Sequence, residues 1–211
     1  MFDTRETDRL LSTTRAVRRR LDLARPVDPE IVLECLRLAV QAPTASNGQN
    51  WRWMVVTEPE KRRAIAELYR DVGRDYLEQA ATTETDPQTR RVYASAFYLS
   101  EILERVPVLV IPCIDGRFDN ADNAIAAVAF GSILPAAWSF LLALRSRGLG
   151  SAWTTLHLFK EREVADLLGI PDTVTQVALF PVAHSVGEDF APAVRPPVEE
   201  ITFFESWGRP R

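Results

Sequence analysis

Four arginines fall within residues 15–20: Arg15, Arg18, Arg19 and Arg20. Guanidinium forks match the oxygens of phosphates and carboxylates, so the cluster is either an anion site or a solvated basic face. A second stretch, Ala42-Pro43-Thr44-Ala45-Ser46-Asn47-Gly48-Gln49-Asn50-Trp51, is rich in hydroxyls and amides that suit a polar heterocycle or a polyol. By itself it also reads as an ordinary helix-to-strand turn. A third, Gly148-Leu149-Gly150-Ser151-Ala152-Trp153, begins like a dinucleotide fingerprint. It fails that test because Trp153 occupies the third glycine position and the segment follows a helical stretch, where the fingerprint follows a strand.

Other routes to chemistry lack their residues. The two histidines, His157 and His184, stand at no ligand spacing from a cysteine or from each other, so no zinc or other metal site is expected. Cys35 lies on the apolar face of a predicted helix and Cys113 inside an apolar strand, which makes both core thiols. There is no nucleophile elbow and no phosphate-loop lysine. A chain equipped this way does hard chemistry only if a bound cofactor carries the reactive atom.

The elements that position these stretches follow from periodicity. A helix is predicted over residues 3–18. Asp28-Pro29-Glu30 supplies a cap, a first-turn proline and an acid for a second helix ending near Pro43. Residues 51–57 read as a strand, 59–81 and 88–105 as helices around a polar break, and 108–114 as a fully buried strand. A long helix over 122–147, a short strand at 151–155, a small helix at 160–168 and a last core strand at 174–183 complete the pattern. Past Gly187 the tail is proline-rich and ends on Ile201, Phe203, Phe204 and Trp207, which predicts that it wraps another surface. The 211 residues, 46% hydrophobic and 26% charged, fit one α+β domain over 1–211 and exclude a disordered chain.

These motifs, in this order, resemble those of the nitroreductase family of FMN-dependent oxidoreductases. The family's Arg-Arg-Ser-x-Arg is matched by residues 14–18, its Ala-Pro-Ser-x-x-Asn-x-Gln-Pro-Trp by 42–51, and its Gly-Leu-Gly-Ser-x-Trp by 148–153. Leu168-Gly169-Ile170-Pro171 and Arg195-Pro196-Pro197 also fall in place, and only residues 70–105 lack a counterpart. Thr14, Ala16 and Asn50 depart from the pattern, and Ala16 removes a serine hydroxyl.

The resemblance implies a three-layer fold with a mostly antiparallel sheet of four to five strands. It implies a homodimer with FMN at the interface and a tail that wraps the partner. Arg15, Arg19 and Arg195 become candidates for the phosphate, with Thr14 and Ala16 beside them, and Arg18 for the ring edge. Pro43, Thr44, Ala45, Asn47 and Gln49 would come from the second subunit, and Trp153, Thr154 and Thr155 would border N5. Tyr69, Tyr76, Tyr93, Phe97 and Tyr98 are candidate substrate-lid residues, or simply helix-face packing. The implied activity is ping-pong hydride transfer from NAD(P)H through the flavin to a nitroaromatic, quinone or similar small acceptor, with no catalytic side chain of its own. Alternatives are a flavin-sequestering protein or a specialised member: a dehalogenase, a flavin-consuming enzyme or an azoline dehydrogenase.

Charge and hydropathy bound the partners. Lys+Arg 25 against Asp+Glu 29 gives a net charge of −4, which offers nucleic acid no support. Residues 124–144 carry no charge, a length able to span a bilayer. Seven alanines, Pro135 and Gly131 make the run softer than a membrane helix, so a buried helix is expected, and no membrane. On the family resemblance this is the central helix that packs on its two-fold mate, with Ala136 facing that mate. The charged N-terminus has no secretory pattern, and a cytoplasmic location is expected.

Overall fold

The computed structural model describes residues 3–209. Helix α1 (Thr4–Thr13) starts where the Asp3 carboxylate accepts the Arg5 N–H at 2.9 Å. It stops short of the predicted residue 18. The Thr13 and Thr14 hydroxyls donate to the carbonyls of Arg9 and Leu10, each at 2.6 Å, and Thr14 turns extended. The arginine run therefore leaves the helix: Arg15 and Val17 lie on an extended strap, and Arg18, Arg19 and Arg20 on the bend and turn that follow it. Its Val17 N–H donates to the Ser151 carbonyl at 2.7 Å and its Val17 side chain is buried.

The chain continues through β1 (Leu21–Asp22), α2 (Pro29–Ala39), β2 (Trp51–Val56), α3 (Pro59–Thr83) and α4 (Pro87–Ile102). Asp28 and Asp86 cap α2 and α4 by accepting the N–H groups of Glu30 and Thr89. Then come β3 (Val108–Asp115), α5 (Asn123–Arg145), β4 (Leu149–Ser151), α6 (Glu161–Leu168), β5 (Val174–Gln176) and β6 (Phe180–Ser185). α5 runs unbroken through Pro135.

All six strands join one antiparallel sheet of order β1-β6-β3-β2, with β4 also on β6 and β5 also on β3. That is more strands than the expected four to five, because the two-residue β1 joins the edge of β6 and one predicted strand divides in two. The predicted strand at 174–183 divides after Val177, whose N–H still donates to the Pro112 carbonyl of β3 at 2.9 Å. Leu179 instead exchanges both backbone hydrogen bonds with Thr154, at 2.8 and 3.2 Å. The strand expected at 151–155 lies at 149–151.

β3 is buried on both faces and sorts the core into layers. Leu109, Ile111 and Cys113 face a cluster with Ile65, Tyr69 and Leu99 of α3 and α4. Val108 and Val110 face Val32, Cys35, Phe140 and Leu144 of α2 and α5. Burial pushes the Cys35 and Cys113 thiols up to about 11 and about 12, so both stay protonated. Ala136, expected to face a second subunit, is wholly buried within this chain.

His157, in the turn between Leu156 and Lys160, is also fully buried, and neither ring nitrogen has a protein partner. Burial pulls its pKa down from 6.5 to about 4. Between those values the unfolded chain binds the proton and the folded chain does not, so stability falls as pH drops from 6.5 towards 4. The full effect is about 3 kcal/mol. Urea unfolding at pH 7 and pH 4 should show a smaller acid loss in His157→Leu than in the parent. Equal losses would disprove the assignment.

Candidate functional site

The strap crosses β4 at Gly150. A Cβ there would lie 2.7 Å from Ser185 Oγ and 2.9 Å from Val17 Cγ1, so only glycine allows the contact. With Val17 held inward, Ala16 and Arg18 project from the opposite side of the strap. They open onto a cleft of about 640 Å³, within the range of small-molecule sites.

Three further elements wall the cleft. α5 contributes Trp138, Leu141 and Arg145; α4 contributes Gln88, Arg91, Val92 and Ser95; the tail contributes Pro192, Val194 and Arg195. The tail is rooted by Phe190, whose ring sits under the guanidiniums of Arg20 and Arg145 at 4.2 and 4.7 Å. Arg20 also donates to the Val186 carbonyl and pairs with Asp189 at 2.7 Å. Arg15 holds the next stretch through the Ala191 carbonyl at 2.8 Å.

Five guanidiniums, those of Arg15, Arg18, Arg91, Arg145 and Arg195, line the cleft with no carboxylate among its walls. None of the five forms a salt bridge among the described residues, although the chain as a whole is acidic. Arg18 is half-buried, donates to Ser95 Oγ at 3.2 Å and is pulled below its usual value by burial, offset in part by nearby Tyr69. Arginine remains charged even so. The Ser151 hydroxyl, also on the cleft wall, is buried without a partner.

Thr14, Arg15, Ala16, Arg18, Trp153 and Arg195 thus converge as the sequence suggests. Arg19 does not: its side chain donates to the Ala94 carbonyl and covers the Tyr98 ring at 5.0 Å. The Trp153 ring packs edge-on against Phe180, 5.1 Å between centroids. Thr154 and Thr155 follow it, Thr154 tied to Leu179.

The loop after α2 forms a separate shallow depression. Thr44, Ala45 and Gln49 line it with Phe118, Ile125 and Ser132. The Ala45 N–H donates to Ser132 Oγ at 3.1 Å, and Gln49 Nε2 to Asn47 Oδ1 at 2.9 Å, with Pro43 at the loop's start. Ser46, Asn47 and Gln49 all have φ near +50°, a region that costs a non-glycine residue about 1–2 kcal/mol. Strain at three positions marks a loop kept for its shape.

None of the five aromatic lid candidates lines the cleft. Tyr69 is 2% exposed and hydrogen-bonds Thr154 Oγ1 at 2.6 Å. Tyr76 and Tyr93 pair edge to face on the outside of α3 and α4. Phe97 is half-buried, and Tyr98 packs on the core under Arg19. The α4 residues that do line it, Gln88, Arg91, Val92 and Ser95, recur at intervals of three and four. That spacing was present in the sequence, beneath a more conspicuous aromatic pattern.

Sheet, strap and acid-free cleft define an α+β protein with a small-molecule-sized cationic cleft. The chain belongs to the nitroreductase family, whose model matches residues 11–184 and so includes the strap, the loop and β4 but not Arg195. It is 29% identical over 192 residues to a protein named NADH dehydrogenase from Thermus thermophilus, covering 85% of this chain and 87% of that one. Among solved structures it is similar to iodotyrosine deiodinase bound to FMN and 3-iodo-L-tyrosine, with TM-score 0.68 and 20% identity, covering 95% of this chain and 98% of that one. The FMN-dependent nitroreductase NfnB from Mycobacterium smegmatis, in complex with NADPH, also gives TM-score 0.68 at 20% identity, covering 96% and 99%.

Gly150→Ala should force the strap off β4. A loss of about 1–3 kcal/mol in urea unfolding is expected. A variant as stable as the parent would show that the contact has slack.

Proposed function

We propose that this chain is an FMN-dependent NAD(P)H oxidoreductase, one FMN-binding domain over residues 1–211 acting as a cytoplasmic homodimer. The acid-free cationic cleft carries the reading. FMN combines a flat ring, a polyol and a phosphate near −2. The cleft offers apolar walls at Trp138, Leu141 and Trp153, guanidiniums without salt bridges among the described residues, and an orphaned buried hydroxyl at Ser151. When bound, FMN would supply two-electron chemistry at N5 between NAD(P)H and a nitroaromatic, quinone or similar small acceptor.

The chain's own residues bind, orient and exclude water. Arg15 and Arg195, on the strap and the tail, are the pair for the phosphate. Arg19 is committed to α4, and Thr14 and Ala16 line the same wall. Arg18 is the cation for the ring edge, where a fixed charge favours the negative charge that arrives with the electrons. Ser95 fixes its guanidinium. The Thr154 N–H is occupied by the Leu179 carbonyl, so the Trp153 N–H, on the cleft wall, and the neighbouring Thr155 N–H are the backbone donors that would serve the ring. No side chain has to move a proton at the hydride step, and catalysis is positioning and electrostatics.

α5 supports the dimer. Its inner face packs on α2 and β3, while Ile125, Val128, Leu134 and Trp138 stay exposed on an uncharged outer face. The strained loop meets α5 near Val128 and the cleft meets it near Leu141, roughly 20 Å further along the helix axis. An antiparallel mate of α5 therefore brings one subunit's Pro43, Thr44, Ala45, Asn47 and Gln49 to the other's cleft. Trp207, 92% exposed at the end of the tail, suits the same partner surface. The free buried thiols and the use of NAD(P)H support the cytoplasmic assignment.

The purified protein should be yellow and should bleach anaerobically with NADPH or NADH. Colour without bleaching would support flavin storage instead, and a colourless protein that cannot take up FMN would sink the flavoprotein reading. Leu134→Lys should sediment as a monomer and release its flavin. If it stays dimeric and yellow, α5 is not the interface.

A further inference from the structure

Gln88, Arg91, Val92 and Ser95 form one face of α4 over the cleft. The inner end of that face is fixed where Ser95 accepts Arg18. One turn further out, Arg91 is exposed and has no hydrogen bond or ion pair among the described residues. Its electrostatic neighbour Asp86 has its carboxylate engaged in capping α4 through the Thr89 N–H at 2.7 Å.

The other four cleft arginines each have a protein partner. Arg15 donates to Ala191, Arg18 to Ser95 and Arg195 to the Val194 carbonyl, and Arg145 donates to the Glu188 carbonyl while covering Phe190. A cofactor phosphate is matched by the strap and tail pair, Arg15 and Arg195. Arg91 is then a surplus cation on another wall, in a cleft with no acid to neutralise it.

We infer that Arg91, with the Gln88 amide beside it, is a subsite for an oxyanion, carboxylate or phosphate, on the second substrate that shares the cleft with the flavin. This rests on the flavoprotein reading. An Arg fork takes either group in bidentate fashion and the amide adds a donor one turn away. The oxyanion comes either from the electron acceptor or from the phosphates of the nucleotide donor, and the two sources separate experimentally.

Steady-state kinetics of the holoprotein with 4-nitrobenzoate and its neutral analogue 4-nitrobenzamide, and with NADPH and NADH, test the subsite in Arg91→Met and Arg91→Lys. Flavin content is read from absorbance, and 4-nitrobenzoate affinity from flavin difference spectra. Arg91→Met should raise KM for 4-nitrobenzoate roughly ten-fold more than for 4-nitrobenzamide if the anion is the acceptor's, or raise KM for the nucleotide by a similar factor if it is the donor's. Arg91→Lys should recover most of the loss. A yellow Arg91→Met protein whose KM values and 4-nitrobenzoate affinity match the parent overturns the subsite and leaves the flavoprotein reading standing. A colourless parent overturns both.

Discussion

The contact between the strap and β4 sets everything above it. One backbone hydrogen bond from Val17 to Ser151, and the absence of a side chain at Gly150, bring an extended segment against the sheet edge. From that contact follow the inward turn of Val17, the outward turn of Arg18, and the place of Arg20 under the tail. An arginine on a flexible arm would spend its affinity on ordering itself; here the ordering is done by the fold. The same antiparallel sheet that buries β3 therefore also aims the charges.

The four arginines of the run serve three ends. Arg15 and Arg18 face the cleft, Arg19 covers Tyr98, and Arg20 clamps Phe190 and Asp189. Motif spacing in the sequence pointed to this run and the glycines before Trp153, which the fold brings to one cleft, and to the loop after α2, which lies apart in its own depression. It could not divide the work among neighbours, because that depends on which side chains the strap turns inward, and the strap was expected to be helical. Local signals favoured a helix; two threonine hydroxyls and a tertiary hydrogen bond prevailed. Tyr69 is a similar case. Its helical spacing identified a buried face, yet its partner, Thr154, lies 85 positions away in the chain.

α5 shows how far composition goes. An uncharged run of this length is compatible with lipid, core or a second subunit, and its alternation of small and large residues does not choose between them. Packing divides it. Ala129, Ile133, Ala136 and Phe140 point into the chain's own core, and Ile125, Val128, Leu134 and Trp138 point out. Residue type alone could not separate Ala136 from Gly131, since both are small and both lie mid-helix. The sheet's register, which decides where α5 rests, is a property of the whole chain.

The tail's attachment makes one wall of the cleft conditional on two distant arginines. Phe190 is gripped by Arg20 from the start of the chain and Arg145 from the end of α5, and only past that grip do Pro192, Val194 and Arg195 reach the cleft. The sheet and both helical layers are complete without that segment, so the wall it supplies hangs on one aromatic ring held between two cations, and loosening that ring would open the cleft while the core stood.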